Sequence, residues 1–464
     1  MMDRRFGWGL LATLAWGVLS FGAVYPWAYW PLAAACAALG IWGIVATQAW
    51  RDPRTRLLTA ALTAIGLAIA IQLIALPYAW LSSLSPGVDR FLRAYQIAYH
   101  PSAVHPLSID PRATAATLAL YIAFALFLIG LSRGIRRIGL DWLATQLMGL
   151  GLGLAVVGVV QKAFAVPDDP LVYGFWKPQH GGNPFGPFVN RNHFAGWMVM
   201  ALPVVIGYAC AVFQTSRRAS RSGWRDTLQW FATVDANRFT LLAVAVLVMA
   251  TSLVLTGSRS GVASFGVALM VLGWFALRHL QAGRTRWVLV GSFMLLLAGS
   301  LGWAGIDRTV DRFNRAPAEL EGRFSAWRDT ERIIADFPVF GTGLGTYAQA
   351  MLLYQTRGRD VMYAEAHNDY IQLAAEGGLI VAIPLLFACG VMALTIRRRL
   401  RPGDDDPMTA WIRAGSLAGI AAIAAQSVVE FSLQMPGNAA MFVVLLAVAL
   451  HRRAPVRFVD AHRV

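Results

Sequence analysis

Charge is what this chain has least of. Acidic and basic residues together make up 14% of its 464 positions, against about 25% in soluble domains. That is too few polar groups to cover a water-facing globule of this size, and a strongly apolar chain is not a disordered or fibrous one either. Lysine is almost absent: Lys162 and Lys177 stand alone, and arginine supplies the rest of the positive charge. Cysteine is rare too. Cys36, Cys210 and Cys389 each lie inside a long apolar run, which argues against disulfides and against a metal cluster. The chain also lacks HExxH, CxxC and paired-carboxylate patterns, so no metal and no cofactor is expected. What it has in abundance is hydrophobic residues, 57% of the total, which makes it a polytopic membrane protein of all-α class.

Apolar runs long enough for a helix to cross about 30 Å of hydrocarbon recur along the chain. Their limits are 6–24, 29–49, 57–79, 114–132, 143–164, 193–213, 239–256, 261–278, 287–305, 378–396, 411–430 and 438–451. These predict about twelve transmembrane helices. The first follows Met-Met-Asp-Arg-Arg and resembles a signal peptide, but it is long enough to span and has no clear cleavage site. It reads as an uncleaved first span.

The net charge of +15 has a direction. With the N-terminus inside, nearly all the excess arginine falls in inside loops, at 51–56, 133–137, 217–238, 278–286, 397–401 and the tail. The outside is close to neutral. Cytoplasmic loops carry such an excess, so the basicity is topological and no nucleic-acid partner is expected.

The runs divide the chain into three parts: helices 1–9 over 1–305 with outer loops at 81–113 and 165–192, a large outer loop subdomain at 306–377, and helices 10–12 with an inside tail over 378–464. Within the large loop Leu320, Phe324, Trp327 and Ile334 fall near one face of a helical pattern. Such a helix either lies on the membrane surface or packs on the bundle.

Three outer constellations could carry chemistry. His367-Asn368-Asp369-Tyr370, with Glu376-Gly377-Gly378 beyond it, precedes a span. At helical spacing His367 shares a face with Tyr370 and Ile371. It serves either as a general base, since neutral imidazole accepts a proton near pH 7, or as a residue that caps and packs the loop. Arg259 sits in a tight turn near membrane depth, where charge is costly and usually functional, and Arg323 faces the same side. Two guanidinium forks suit a diphosphate; pairing with a carboxylate or a lipid headgroup is the other reading. Asn190-Arg191-Asn192-His193 opens a span from outside. There Arg191 and His193 either contact substrate, or Asn192 caps the helix with Arg191 at the headgroups. Gly341-Thr342-Gly343-Leu344-Gly345 has no surrounding βαβ unit, so it is a turn and not a dinucleotide fingerprint.

The glycine block 341–345, His367-Asn-Asp-Tyr370 and Glu376-Gly-Gly378 entering a span, set in about twelve spans with one large late outer loop, resemble the bacterial O-antigen ligase/polymerase superfamily. The resemblance is densest over about 186–380. It implies a metal-independent, inverting glycosyltransferase of the bacterial inner membrane with both termini cytoplasmic. The donor would be an undecaprenyl-diphosphate-linked glycan, and the acceptor lipid A–core, another glycan or a protein hydroxyl on the periplasmic side. A loop histidine and two arginines are essential in that superfamily; by motif context these correspond to His367, Arg259 and Arg323. The resemblance implies substrate contacts for Asn190, Arg191, His193, Asn368, Tyr370 and Glu376, and membrane lipids as surroundings. Ligases are often somewhat shorter, which leaves a polymerase open. The rival class is a transporter or flippase of a lipid-linked glycan or small anion. It would place ionisable groups near the bilayer midplane, whereas here the polar clusters gather at one face.

Overall fold

In a computed structural model, the described residues are 4–100, 102, 104–164, 171–178, 182–219, 233–280, 283–306, 316–357, 362–400 and 406–451. They form α1 (Arg4–Leu19), α2 (Pro26–Thr47), α3 (Pro53–Ile71), α4 (Tyr78–Leu84), α5 (Pro86–Tyr95), α6 (Pro111–Ile138), α7 (Leu140–Ala163) and α8 (Arg191–Ala219). There follow α9 (Val234–Leu255), α10 (Arg259–His279), α11 (Arg284–Ile306), α12 (Ala316–Asp336), α13 (Tyr347–Tyr354), α14 (Asp369–Arg399), α15 (Pro407–Gln426) and α16 (Pro436–Leu450). The chain is mostly helical, as expected. A two-stranded antiparallel pair, β1 (Ala75–Pro77) with β2 (Val104–Pro106), is a small departure from all-α.

Each predicted apolar run falls on one of these helices. Eight helices (α2, α6–α10, α14 and α15) are long and apolar enough to cross a membrane. The apolar segments of α3, α11 and α16 are shorter, and α1 has 16 residues. Two boundaries differ most from the sequence reading. The run 57–79 ends as helix at Ile71, because Leu76 and its neighbours pair with β2. The run 378–396 belongs to a helix that starts at Asp369, with Asn368 as its cap.

Small residues let the bundle close. Helix α8 lies at the centre, with 94% of its apolar window buried, and packs along α15. A Cβ on Gly419 would lie 2.7 Å from the Met200 carbonyl oxygen, and one on Gly43 of α2 would lie 2.6 Å from that of Gly130 in α6. Close backbone approach of this kind replaces the hydrophobic drive that is weak between helices in lipid.

A second core sits outside the bundle. Leu81, Val88 and Phe91 of α4–α5 pack with Ile333, Phe337 and Tyr347 of α12–α13. Two of the segments predicted as separate loops, 81–113 and 306–377, therefore share one interior. Helix α12 is packed and not merely surface-bound: Ile333 is fully buried, and Trp327 Nε1 donates to the Ala366 carbonyl at 2.8 Å, while Phe324 remains half exposed. The Leu320 side chain and residues 307–315 lie outside the described residues.

The glycine block forms the predicted turn, between α12 and α13. Gly341 has φ +67° and abuts a break in α14 at Gly378, where φ is +57°. The amides that the break exposes are satisfied by the outer domain: Leu379 N–H donates to Pro338 and Ile380 N–H to Val339, at 3.0 and 2.9 Å.

Candidate functional site

The site is assembled at one end of the bundle, from the starts of α8, α10 and α14, from α12 and from the turn between α15 and α16. Helix α8 begins after Asn190, whose Oδ1 accepts the Asn192 amide at 2.9 Å. The capping role foreseen for Asn192 thus belongs to Asn190. Asn192 is free to reach across the bundle: its Nδ2 donates to Glu430 Oε1 at 2.8 Å. Its carbonyl accepts from Gln426 Nε2 at 3.2 Å and Ser432 Oγ at 3.3 Å, and that of His193 accepts from Asn438 Nδ2 at 3.0 Å. These bonds hold residues 426–438 against the start of α8.

Glu430 is the hub, 2% exposed on its side chain. Arg323, from the outer surface of α12, donates Nη1 to the Val429 carbonyl at 3.0 Å and Nη2 to Glu430 Oε1 at 3.1 Å. His367 approaches the other carboxylate oxygen, with Nδ1 3.7 Å from Oε2. Burial by itself would push the Glu430 carboxyl up, but His367, Arg323 and His193 outweigh it and hold the group below the usual carboxylate range. A buried anion with such partners stays ionised. Phe431 stands edge-on to both imidazoles, with ring centroids 4.7 Å from His193 and 4.9 Å from His367.

His367 itself is not helical. It has φ +51°, a left-handed backbone rare for a side-chain-bearing residue, so the expected face shared with Tyr370 does not exist. The residues on each side of it are pinned. Ala366 N–H donates to Gln372 Oε1 at 2.9 Å and its carbonyl accepts from Trp327. Asn368 Oδ1 caps α14 through the amides of Tyr370 and Ile371, at 3.0 and 3.2 Å, and Asp369 N–H donates to Ser427 at 2.9 Å. The imidazole is left about one-third exposed, over a buried carboxylate.

Arg259 is tied to this cluster only indirectly. It is the first residue of α10, exposed, after Ser258 Oγ caps the helix by accepting the Gly261 amide at 3.2 Å. Among the described residues no hydrogen bond or ion pair joins it to Glu430 or His367. The link runs through α8: a Cβ on Gly257 would meet Arg191 Nη1 at 3.3 Å, so the Arg191 guanidinium lies against the turn that carries Arg259.

The remaining sequence candidates separate. Glu376 is buried, and its carboxylate organises the glycine turn by accepting the amides of Gly345 at 3.0 Å and Tyr347 at 2.8 Å. His193 is buried beneath Phe431 rather than open to the outside. Tyr370 is half exposed, its hydroxyl donating to the Ala424 carbonyl at 2.8 Å. Sequence reasoning missed Glu430 because it ends an apolar run; the available signal was a carboxylate at the outer mouth of a span, where a lone charge is costly. Among the described residues no group of acids, histidines and cysteines could hold a metal ion.

The arrangement offers one exposed imidazole over a carboxylate, with permanently charged guanidiniums on the same side. Comparison with known protein families meets the same stretch. Residues 244–386 match the O-antigen ligase family model. The matched stretch runs from α9 into α14 and contains Arg259, Arg323, His367, Asn368, Tyr370 and Glu376. The Asn190–His193 block and Glu430 lie outside the matched residues and meet them only in the folded chain. No curated protein gives a significant match to the chain.

Proposed function

We propose that this chain is a glycosyltransferase of the O-antigen ligase/polymerase type, with about twelve spans in the bacterial inner membrane and both termini cytoplasmic. On the periplasmic face it transfers a glycan from undecaprenyl diphosphate to an acceptor hydroxyl of lipid A–core or of another glycan. The observation that carries this reading is the convergence of Arg323 and His367 on opposite oxygens of the buried Glu430, within a chain whose residues 244–386 match the O-antigen ligase family model.

In this reaction neutral His367 takes the acceptor's proton, and the freed oxygen electron pair attacks the anomeric carbon. The bond from that carbon to the diphosphate oxygen breaks as the new one forms, so the configuration inverts and undecaprenyl diphosphate leaves with the bonding pair. Arg323 and Arg259 neutralise the departing diphosphate, the electrostatic task that a metal performs elsewhere. Glu430 orients His367 through Nδ1 and stabilises the imidazolium as it forms. The 3.7 Å separation tightens once the ring is charged. General-base assistance of this type is typically worth about 10²–10⁴-fold.

The test is direct: purified full-length protein is mixed with a labelled lipid-linked glycan and candidate acceptors. A ladder of lengthening products identifies a polymerase, and a single shifted acceptor a ligase. No transfer to any acceptor, with movement of the labelled lipid across the bilayer, would favour the transporter reading instead.

A further inference from the structure

At the far end of α14 from His367, a shallow cleft opens among α3, α6, α14 and α16. Arg133 and Arg136 from the last turns of α6 and Arg399 from the last turn of α14 line it, with Asp52 as the one acid of the lining. Arg133 Nη1 pairs with Asp52 Oδ2 at 2.9 Å. A fourth guanidinium lies just behind. Arg413 of α15 is 1% exposed and donates to the carbonyls of Arg399 at 3.1 Å and His451 at 2.8 Å, which close the C-terminal ends of α14 and α16.

The potential there is positive. The His451 imidazole, adjoining this group, is pushed down to about 3 by burial and by Arg413, Arg136 and Arg399, with Asp406 opposing. Three guanidiniums line one cleft, and guanidinium forks match a phosphate best. The opposite wall is apolar, made by Leu58 of α3 with Val391 and Met392 of α14. Beyond it α14 presents Leu386, Phe387 and Leu394 outward, each more than half exposed. A soluble phosphate has no use for such a wall, whereas a lipid does. These arginines come from two separate helix ends and meet around one cleft, on the side where the sequence gathers its arginine.

We propose that this cleft binds the phosphate of an anionic phospholipid, with its acyl chains lying along α3 and α14. Basic pockets between transmembrane helices on the cytoplasmic side recognise lipid headgroups in this way. The site is independent of the glycosyltransferase reading, because it rests on the opposite end of the bundle.

The test uses full-length protein purified in detergent and stripped of lipid. Phosphatidylglycerol, phosphatidylcholine or inorganic phosphate is added, native mass spectrometry counts retained lipid, and thermal unfolding measures stabilisation. Phosphatidylglycerol should be retained in preference and should raise the Tm. Arg399→Gln should retain it about tenfold more weakly, as expected for one lost charge-assisted contact. Thr395→Phe, which fills the cleft without changing charge, should do the same and decides the matter if Arg399→Gln fails to fold. Equal retention of phosphatidylcholine, or undiminished retention by the variants, overturns the proposal. Inorganic phosphate stabilising as well as phosphatidylglycerol assigns the cleft to a soluble anion and overturns it too.

Discussion

His367 and Glu430, 63 positions apart in the chain, meet through Nδ1 and Oε2 at 3.7 Å. The imidazole is part-exposed and the carboxylate buried, so the pair has an outward-facing base and an inward-facing anchor. Arg323 holds the second oxygen of the same carboxylate, and Asn192 brings the start of α8 to it.

Removing the anchor charge should cost rate more than fold. Glu430→Gln keeps the shape and an acceptor for Asn192 but loses the charge facing His367 and Arg323. Transfer from a labelled lipid-linked glycan should fall by about 10²–10⁴-fold, the value of positioned proton transfer, with donor binding weakened less. A wild-type turnover rate in Glu430→Gln would exclude the orienting role.

His367→Ala and Arg323→Ala should separate chemistry from binding. The first is expected to abolish transfer while leaving donor affinity largely intact. The second should weaken donor binding, and Arg323→Lys should rescue it only in part, because lysine cannot reach both the Val429 carbonyl and the Glu430 carboxylate as a fork does. Equilibrium binding of the labelled donor, measured beside turnover, checks both.

Stability should depend on pH through two acids of opposite sign. Glu430 titrates below its usual range in the folded chain. Its contribution is therefore present above the unfolded value and is lost as pH falls through the lower folded one. Glu365, hydrogen-bonded to Gln372 Nε2 at 2.6 Å, is pushed up to about 8 by burial and by the nearby Glu376 and Asp369 charges. Its contribution is full below about 4.5 and fades as pH rises to about 8. Thermal melts should show Glu365→Gln flattening the decline over that window, and Glu430→Gln flattening the acid limb. Unchanged profiles would contradict these assignments.

Glu376 should behave as a structural residue. Glu376→Ala strands two amides that its carboxylate accepts at the glycine turn, at about 1–3 kcal/mol for each buried donor left unmade. The Tm should drop, while the donor KM of the surviving folded protein stays near wild type. A selective rise in KM without loss of stability would place Glu376 at the substrate instead.

The seam between Gly341 and Gly378 should tolerate no side chain. Both have positive φ, and a Cβ on Gly378 would lie 2.5 Å from the Gly341 nitrogen. Gly378→Ala combines left-handed strain of about 1 kcal/mol or more with a backbone overlap that cannot relax by rotation. It should lower the Tm and loosen the outer domain from α14, read out as faster proteolysis of the 316–357 region.

The helices were legible in the sequence because hydrocarbon imposes a length and a composition that any twenty apolar residues betray. The glycine turn was legible for similar local reasons, and His367 and Arg323 stood out by residue type before the structure brought both to Glu430. What the sequence could not contain was adjacency. Glu430 looks like the frayed end of a span until the turn after α15 folds under His367, and Glu376 looks like a site residue until its carboxylate is found holding two turn amides. The left-handed backbone of His367 is likewise set from outside, by Trp327 and Gln372 on Ala366 and by the cap at Asn368. Membrane spans follow from transfer of each segment into lipid, one at a time. The site depends on where a few short-range polar bonds close between distant segments, and only the tertiary structure decides that.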